Sequence, residues 1–234
     1  MTEKNAKYKA VMQLIIENGL DGIVVYSKGT SSIIEPNYFQ FFSGFCPMGP
    51  RNAAIISRTG EVILLLDSPW DFRMAFEKSW IHDVKETMNF NNDLISILNH
   101  LKIGKSVGLV GSNQMIDELY SRISMHAEVL NIDEGFDRIG IHKTTEEVKR
   151  IKELGRIAES GFEALFESAR NGIREYELVA EMEFEMRLAG ADDVFILISS
   201  GNHNYAMHEP TDRRLKRGDV VIGEITTPAF NNAE

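Results

Sequence analysis

The sequence contains one cysteine, Cys46, among its 234 residues. A single cysteine cannot form an internal disulfide bond, which excludes a disulfide scaffold and fits the reducing cytoplasm. Cys46 stands between Phe45 and Pro47 in an aromatic-rich stretch with no sequence signature of a base nearby. We therefore expect a small buried side chain rather than a nucleophile, and a cytoplasmic protein.

Basic residues and long apolar runs are also scarce. Lys and Arg number 25 against 35 Asp and Glu, for a formal net charge of −10. Nucleic-acid binding requires a basic face, so we expect no such partner. The apolar run Val62–Leu66 has five residues, whereas a membrane-spanning helix needs about 20. No apolar signal-peptide core follows Met1, and we expect no membrane partner.

Short apolar runs alternate with helical patterns through the first part of the sequence, which favours an α/β (α+β) domain over residues 1–140. Two of the runs flank an Arg-Thr-Gly-Glu turn and predict a hairpin. Residues 27–50 are predicted to be loop-rich and contain five aromatic side chains. Strands are predicted at 22–26, 52–57, 62–66, 106–110 and 129–132, and helices at 4–18, 70–78, 92–101 and 116–124.

A second domain is predicted over residues 141–234. Thr144 followed by Glu147 forms a capping-box signature, and apolar residues then recur at helical spacing to Ser168. Asn171-Gly172 ends this helix, and a second helical pattern covers residues 175–188. Apolar runs at 194–198 and 219–225 predict two strands.

Four short motifs in this second block carry a family resemblance. They are Gly-Ile-Arg-Glu-Tyr-Glu at 172–177, Ser-Gly-Asn at 200–202, Met-His-Glu-Pro at 207–210 and Leu-Lys-Arg-Gly-Asp-Val-Val at 215–221. In this order they resemble the opening of the pita-bread catalytic domain of creatinases and Xaa-Pro peptidases, the family that includes prolidase and aminopeptidase P. The resemblance implies a creatinase/prolidase-type amino-terminal domain followed by the first half of a pita-bread domain.

The resemblance also implies functional residues. His208 stands where the family has a pocket histidine that positions the scissile group or moves a proton, a role suited to imidazole. His203, five residues earlier, and Arg213 are candidate substrate-binding residues, Arg213 for a substrate carboxylate. The alternative for each histidine is a surface or structural hydrogen bonder, and for Arg213 a solvated turn.

Metallopeptidases of this family hold two divalent cations, such as manganese, cobalt or zinc, through two Asp, one His and two Glu. Glu224 stands at the place of the first Asp, and its extra methylene moves the carboxylate by about 1.5 Å. The remaining ligands would follow residue 234, so we expect the chain alone to lack a complete metal site and to be inactive.

Three functions stay open. The first is a hydrolase of the Xaa-Pro dipeptidase or aminopeptidase family, using divalent cations. The second is a metal-independent, creatinase-like hydrolase that cleaves a C–N bond in a small molecule and needs no cofactor. The third is a non-catalytic dimerisation module. The expected substrate is a peptide or a small amide or amidine, and the expected assembly is a homodimer.

Overall fold

The computed structural model describes residues 3–29 and 37–227. It divides into two compact units, one spanning Met1–Thr144 and the other Thr145–Asn232. The domain boundary that the sequence predicts after residue 140 lies a few residues before this division. No helix among the residues described is long and apolar enough to cross a membrane.

The first unit is built on a mixed six-stranded sheet. Its strands are β1 (Gly22–Ser27), β2 (Asn52–Ser57), β3 (Val62–Leu66), β4 (Val84–Glu86), β5 (Ser106–Val110) and β6 (Glu128–Asn131). Their order across the sheet is β4-β3-β2-β1-β5-β6. The predicted hairpin is present, because β1, β2 and β3 pair antiparallel, whereas β1–β5, β5–β6 and β3–β4 are parallel.

Helices cover both faces of this sheet. The side chains of β1 alternate, with Ile23 and Val25 in one apolar core and Val24 and Tyr26 in the other, as the period of two along a strand requires. Because both faces are buried, β1 to β3 are apolar along nearly their whole length. The helices are α1 (Glu3–Glu17), α2 (Tyr38–Ser43), α3 (Pro69–Lys78), α4 (Phe90–His100), α5 (Asp117–His126) and α6 (Asp133–Ile141).

The stretch predicted to be loop-rich contains the short helix α2. Asn37 caps it, since its Oδ1 accepts a hydrogen bond of 2.9 Å from the backbone N–H of Gln40, and Gly44 ends it at φ 72°. The aromatic side chains of Phe39 and Phe42 are buried in the core beside α1 and α6. Residues 30–36 of the predicted loop lie outside the described residues. Cys46 is buried, as expected.

The second unit pairs two helices with a two-stranded antiparallel sheet. These elements are α7 (Thr145–Ser168), α8 (Glu175–Leu188), β7 (Phe195–Gly201) and β8 (Val220–Thr226). Leu178, Met182 and Met186 of α8 pack with Ile196 and Ile198 of β7 in a separate apolar core. On β8, Val221 and Ile225 face this core, whereas Val220, Ile222 and Glu224 are exposed. The register places Glu224 opposite Leu197.

Candidate functional site

The connection between β7 and β8, residues 202–219, carries three of the four predicted site residues. Its second half lies along the start of α8. The backbone N–H of Glu175 donates a hydrogen bond to the carbonyl of Arg213 at 3.0 Å. The backbone N–H of Gly172 donates to the carbonyl of Leu215 at 2.8 Å. The N–H groups in the first turn of a helix have no partner within the helix, and here the connection satisfies two of them, those of Glu175 and Tyr176.

Glu175, in the first turn of α8, is fully buried. Its Oε1 accepts hydrogen bonds from the backbone N–H of Ser200 at 2.9 Å and from the Ser200 hydroxyl at 2.6 Å. Its Oε2 accepts from the N–H of Thr211 at 3.1 Å and from the Thr211 hydroxyl at 2.6 Å. One carboxylate therefore joins the start of α8, the end of β7 and the middle of the connection.

These contacts decide the charge state of Glu175. Burial by itself raises the pKa of the carboxyl group, but the hydrogen bonds from Ser200 and Thr211 outweigh burial and hold the pKa below its ordinary value. Hydrogen bonds to an ionised acceptor are stronger than neutral ones and stabilise the charged form. Glu175 is therefore an ionised carboxylate in the folded protein at neutral pH.

Arg213 extends this arrangement. Its Nη1 donates to the Ser200 hydroxyl oxygen at 2.6 Å and to Oδ2 of Asp219 at 2.8 Å. The hydrogen bond from Arg213 is the main reason that the pKa of Asp219 lies below its ordinary value, and the hydrogen bond from the backbone N–H of Lys216 lowers the pKa further. We call Glu175, Ser200, Thr211, Arg213 and Asp219 the Glu175 network. The Arg213 side chain is about one-third exposed. Its proposed contact with a substrate carboxylate remains a prediction.

His208 lies on a backbone bridge to β7. The N–H of Ile198 donates to the carbonyl of His208 at 2.9 Å, and the N–H of His208 donates to the carbonyl of Ile198 at 3.2 Å. The main chain of His208 is thus fixed to a buried strand, while its imidazole is exposed and its Nδ1 contacts the Glu209 carbonyl at 2.7 Å. A carbonyl oxygen can only accept, so Nδ1 carries the proton and the neutral ring keeps its lone pair on Nε2.

His203 is exposed in the turn that follows β7. The side chain beside it, Asn204, donates from Nδ2 to the Val220 carbonyl at 2.6 Å and so links the two ends of the connection. His203 shares the connection with His208, but the structure shows no hydrogen bond joining them among the residues it describes. The substrate-binding role of His203 stays a prediction.

Glu224 is exposed on the face of β8 that points away from α8. Within residues 3–29 and 37–227, no group of three or more His, Cys, Asp or Glu side chains is arranged to hold a metal ion. These residues therefore do not fit a divalent metal centre by themselves. The predicted role of Glu224 as a metal ligand is not supported by a cluster of neighbouring ligands.

The Glu175 network was not predicted from the sequence. Glu175 was assigned to a helix start and to one of the family motifs but not to the site, because its hydrogen-bond partners lie 25 and 36 residues further along the chain. The available signal was local: Glu175, Ser200 and Asp219 fall inside the motifs that carry the family resemblance. Short polar residues at strand ends form side-chain hydrogen bonds to nearby groups more readily than other residue types.

Comparisons with known proteins agree with this fold. Residues 149–228 match the model of Metallopeptidase family M24. The chain is 27% identical over 224 residues to an Xaa-Pro dipeptidase from Pyrococcus furiosus, covering 94% of this chain and 60% of that protein. It is 24% identical over 237 residues to a creatinase from a Bacillus species, covering 94% of this chain and 55% of that protein.

A solved structure of X-Pro aminopeptidase from Thermotoga maritima superposes with a TM-score of 0.78 at 26% identity, covering 94% of this chain and 60% of that one. The chain thus spans about 60% of the length of the relatives it matches. The predicted mixed α/β fold is confirmed, and so is the resemblance to the creatinase and Xaa-Pro peptidase family.

Proposed function

We propose that the protein is a hydrolase of the Xaa-Pro dipeptidase family and that its substrates are peptides with proline at the second position. The observation that carries the proposal is the placement of His208. Its backbone is bridged to the buried strand β7, and its imidazole is exposed to solvent. The Xaa-Pro dipeptidase relative aligns with nearly the whole chain, the His208 region included.

His208 is suited to general acid–base catalysis in this reaction. Donation from Nδ1 to the Glu209 carbonyl orients the ring and leaves Nε2 to accept a proton from the attacking water and then to donate it to the leaving amine. Arg213, beside it on the same connection, has a side chain that is one-third exposed and is suited to pairing with a substrate carboxylate. His203 is proposed to contact the substrate from the turn.

The test is hydrolysis of Xaa-Pro dipeptides by the gene product as the cell makes it, in wild-type and His208→Ala forms. We expect kcat/KM to fall by about 100-fold or more, the range for loss of a general base. His142→Ala is the matched control, because His142 is also exposed but lies in the first unit. Equal rates for wild type and His208→Ala would remove His208 from the mechanism.

The cofactor belongs to the same proposal. We propose that divalent cations, manganese, cobalt or zinc, support the reaction and that Glu224 is one of their ligands. Manganese titration by calorimetry compares wild type with Glu224→Gln, which removes one charged oxygen ligand. Equal affinity in both forms would exclude Glu224 as a ligand. The inactivity expected for the 234-residue chain is tested by assaying it beside the gene product.

A second candidate function is metal-independent, creatinase-like hydrolysis of a C–N bond in a small amide or amidine. Glu224 favours it, since this residue replaces the Asp that the resemblance implies for a metal ligand, and a creatinase is among the relatives. Hydrolysis of guanidino compounds that a chelator leaves unchanged would support this candidate. Hydrolysis of Xaa-Pro peptides that the chelator abolishes would support the first.

The absence of turnover on both substrate classes would favour the third hypothesis, a dimerisation module. Homodimerisation and a cytoplasmic location are also part of the proposal. Analytical ultracentrifugation tests the homodimer through the molecular mass in solution, and cell fractionation tests the location. We propose no nucleic-acid partner because the composition is acidic, and no membrane partner because the apolar runs are short.

A further inference from the structure

Glu175 is a buried ionised group that the proposed chemistry does not use. Each of its carboxylate oxygens accepts one bond from a backbone N–H and one from a hydroxyl. An oxygen with two donors in place has little capacity left to take a proton from water or to bind a cation. Glu175 is therefore unsuited to act as the base or as a metal ligand.

The partners of Glu175 lie on either side of His208 in the chain. Ser200 is near the end of β7, eight residues before His208, and Thr211 is three residues after it. The carboxylate thus holds both ends of the segment Ser200–Thr211 at one point. Within this segment His208 is bridged to Ile198, which lies two residues before Ser200 on β7.

Arg213 adds a second set of links to the same two residues. Its Nη1 donates to the Ser200 hydroxyl, which in turn donates to Oε1 of Glu175. Its backbone N–H donates at 3.2 Å to the Thr211 hydroxyl, which donates to Oε2. Each hydroxyl therefore accepts one bond and donates another, which fixes the direction of both hydroxyl groups toward Glu175 and strengthens the chain of bonds.

A helix cap does not account for this arrangement. A carboxylate in the first turn of a helix is favourable even when it is exposed. Elsewhere on α8, carboxylates such as that of Glu181 are exposed. The capping contact itself is made by Glu177, whose Oε2 accepts from the Arg174 N–H at 2.8 Å. The four bonds to Glu175 all come from outside α8, so they serve the connection rather than the helix.

We propose that Glu175 is a positioning residue that holds the backbone of His208 and Arg213 in place beside β7. For the catalytic consequence, this inference rests on the proposed hydrolase function. The negative charge is required, because all four partners are donors. In Glu175→Gln the amide NH2 would replace one oxygen and face an N–H group, so the bonds to either Ser200 or Thr211 would be lost.

The direct test is amide hydrogen exchange in the 234-residue chain, comparing wild type, Glu175→Gln and Glu181→Gln. The control removes the same charge from an exposed position of the same helix. In Glu175→Gln we expect amides of residues 198–211 to exchange about tenfold faster or more, while amides of Met182 and Met186 exchange as in wild type. Unchanged exchange at His208 in folded Glu175→Gln would overturn the proposal.

Thr211→Val is a second variant in case Glu175→Gln does not fold. It removes one hydroxyl donor, keeps a similar shape and leaves the backbone N–H bond in place, so a smaller increase in the same exchange rates is expected. Exchange at His208 equal to that of wild type would again overturn the proposal. The effect should be confined to the connection, because the bond from the Thr211 hydroxyl to Glu175 holds the connection to the start of α8.

Kinetics of the gene product separate this inference from the proposed function. If both hold, Glu175→Gln lowers kcat, because a displaced base affects the chemical step, and raises KM, because Arg213, the proposed substrate-binding residue, is displaced with it. Faster exchange with unchanged kcat overturns the positioning role in catalysis. Faster exchange in a protein whose wild type hydrolyses neither substrate class overturns the proposed function, and supports the structural role of Glu175 in holding His208.

Discussion

The ionised carboxylate of Glu175 makes the stability of the second unit depend on pH. Its pKa in the folded protein lies below the ordinary value of 4.5, so the unfolded chain binds more protons than the folded chain in acid. The stabilisation is fully present above pH 4.5 and is lost as the pH falls through the folded pKa. Asp219, with a pKa lowered by Arg213, acts in the same direction.

We therefore expect the free energy of unfolding, measured in urea, to decline more steeply with falling pH in wild type than in Glu175→Gln. Glu181→Gln, which changes an exposed carboxylate, should keep the slope of the wild type. The same pH slope in Glu175→Gln and wild type would contradict the assignment of the charged state to Glu175.

A second buried carboxylate, Asp71 of α3, stabilises a turn in the first unit. It accepts hydrogen bonds from the backbone N–H of Gly49 at 2.6 Å and of Met48 at 3.0 Å. Asp71→Ala would leave the Gly49 N–H buried without this partner, at a cost of about 1–3 kcal/mol in unfolding free energy. Glu77→Ala on the same helix removes only an exposed pair with Arg73 and should change stability by less than about 0.5 kcal/mol.

At the scale of elements, replacing two glycines of α7 by alanine is expected to change stability in opposite directions. A Cβ built on Gly161 would lie 2.6 Å from Sδ of Met186 and 3.0 Å from Cδ1 of Ile225, whereas at Gly155 it meets nothing within 4 Å. Gly155→Ala should raise the unfolding free energy by about 0.5–1 kcal/mol, because alanine favours a helix over glycine. Gly161→Ala should not be stabilising, because the added methyl group would overpack against α8 and β8.

Thermal unfolding followed by circular dichroism measures both variants. A higher melting temperature for Gly155→Ala and a lower or unchanged one for Gly161→Ala is the expected result. An equal rise in both would show that α7 does not need a residue without a side chain where it meets Met186.

The sequence predicted most elements because their patterns are local. The apolar runs of β2 and β3, with Gly60 at φ 97° between them, suffice to define a hairpin. The helix α2 was missed, because six residues rich in aromatics show no helical period. The helix α6 was also missed: it contains Gly135 and Gly140, which weaken a helical pattern, and Phe136 stabilises it through packing in the core.

The candidate site was predictable only in part. His208 and Arg213 were found because the motifs around them are contiguous in sequence. The Glu175 network depends on contacts between α8, β7 and the connection, which no short window contains. The exposure of Glu224 was not predictable either, since alternation along β8 defines two faces but does not say which of them packs on α8.

At the scale of the whole molecule, the two units have separate apolar cores. The six-stranded sheet of the first unit is covered by helices on both faces, and its core residues come from that unit alone. We expect residues 1–144, expressed alone, to unfold cooperatively in urea, as a domain with its own core does. A broad transition with exposed apolar surface, detected by dye binding, would show that the first unit depends on the rest of the chain.

The anchoring of the segment Ser200–Thr211 at both ends has an evolutionary consequence. Between the anchors, Asn202, His203, Tyr205 and Ala206 are exposed, whereas the bonds that fix the ends involve Ser200, Thr211 and Glu175. Substitutions in the exposed part therefore leave the anchors intact. In the proposed hydrolase, this segment is a part of the second unit in which new substrate preferences can arise while the surrounding structure is kept.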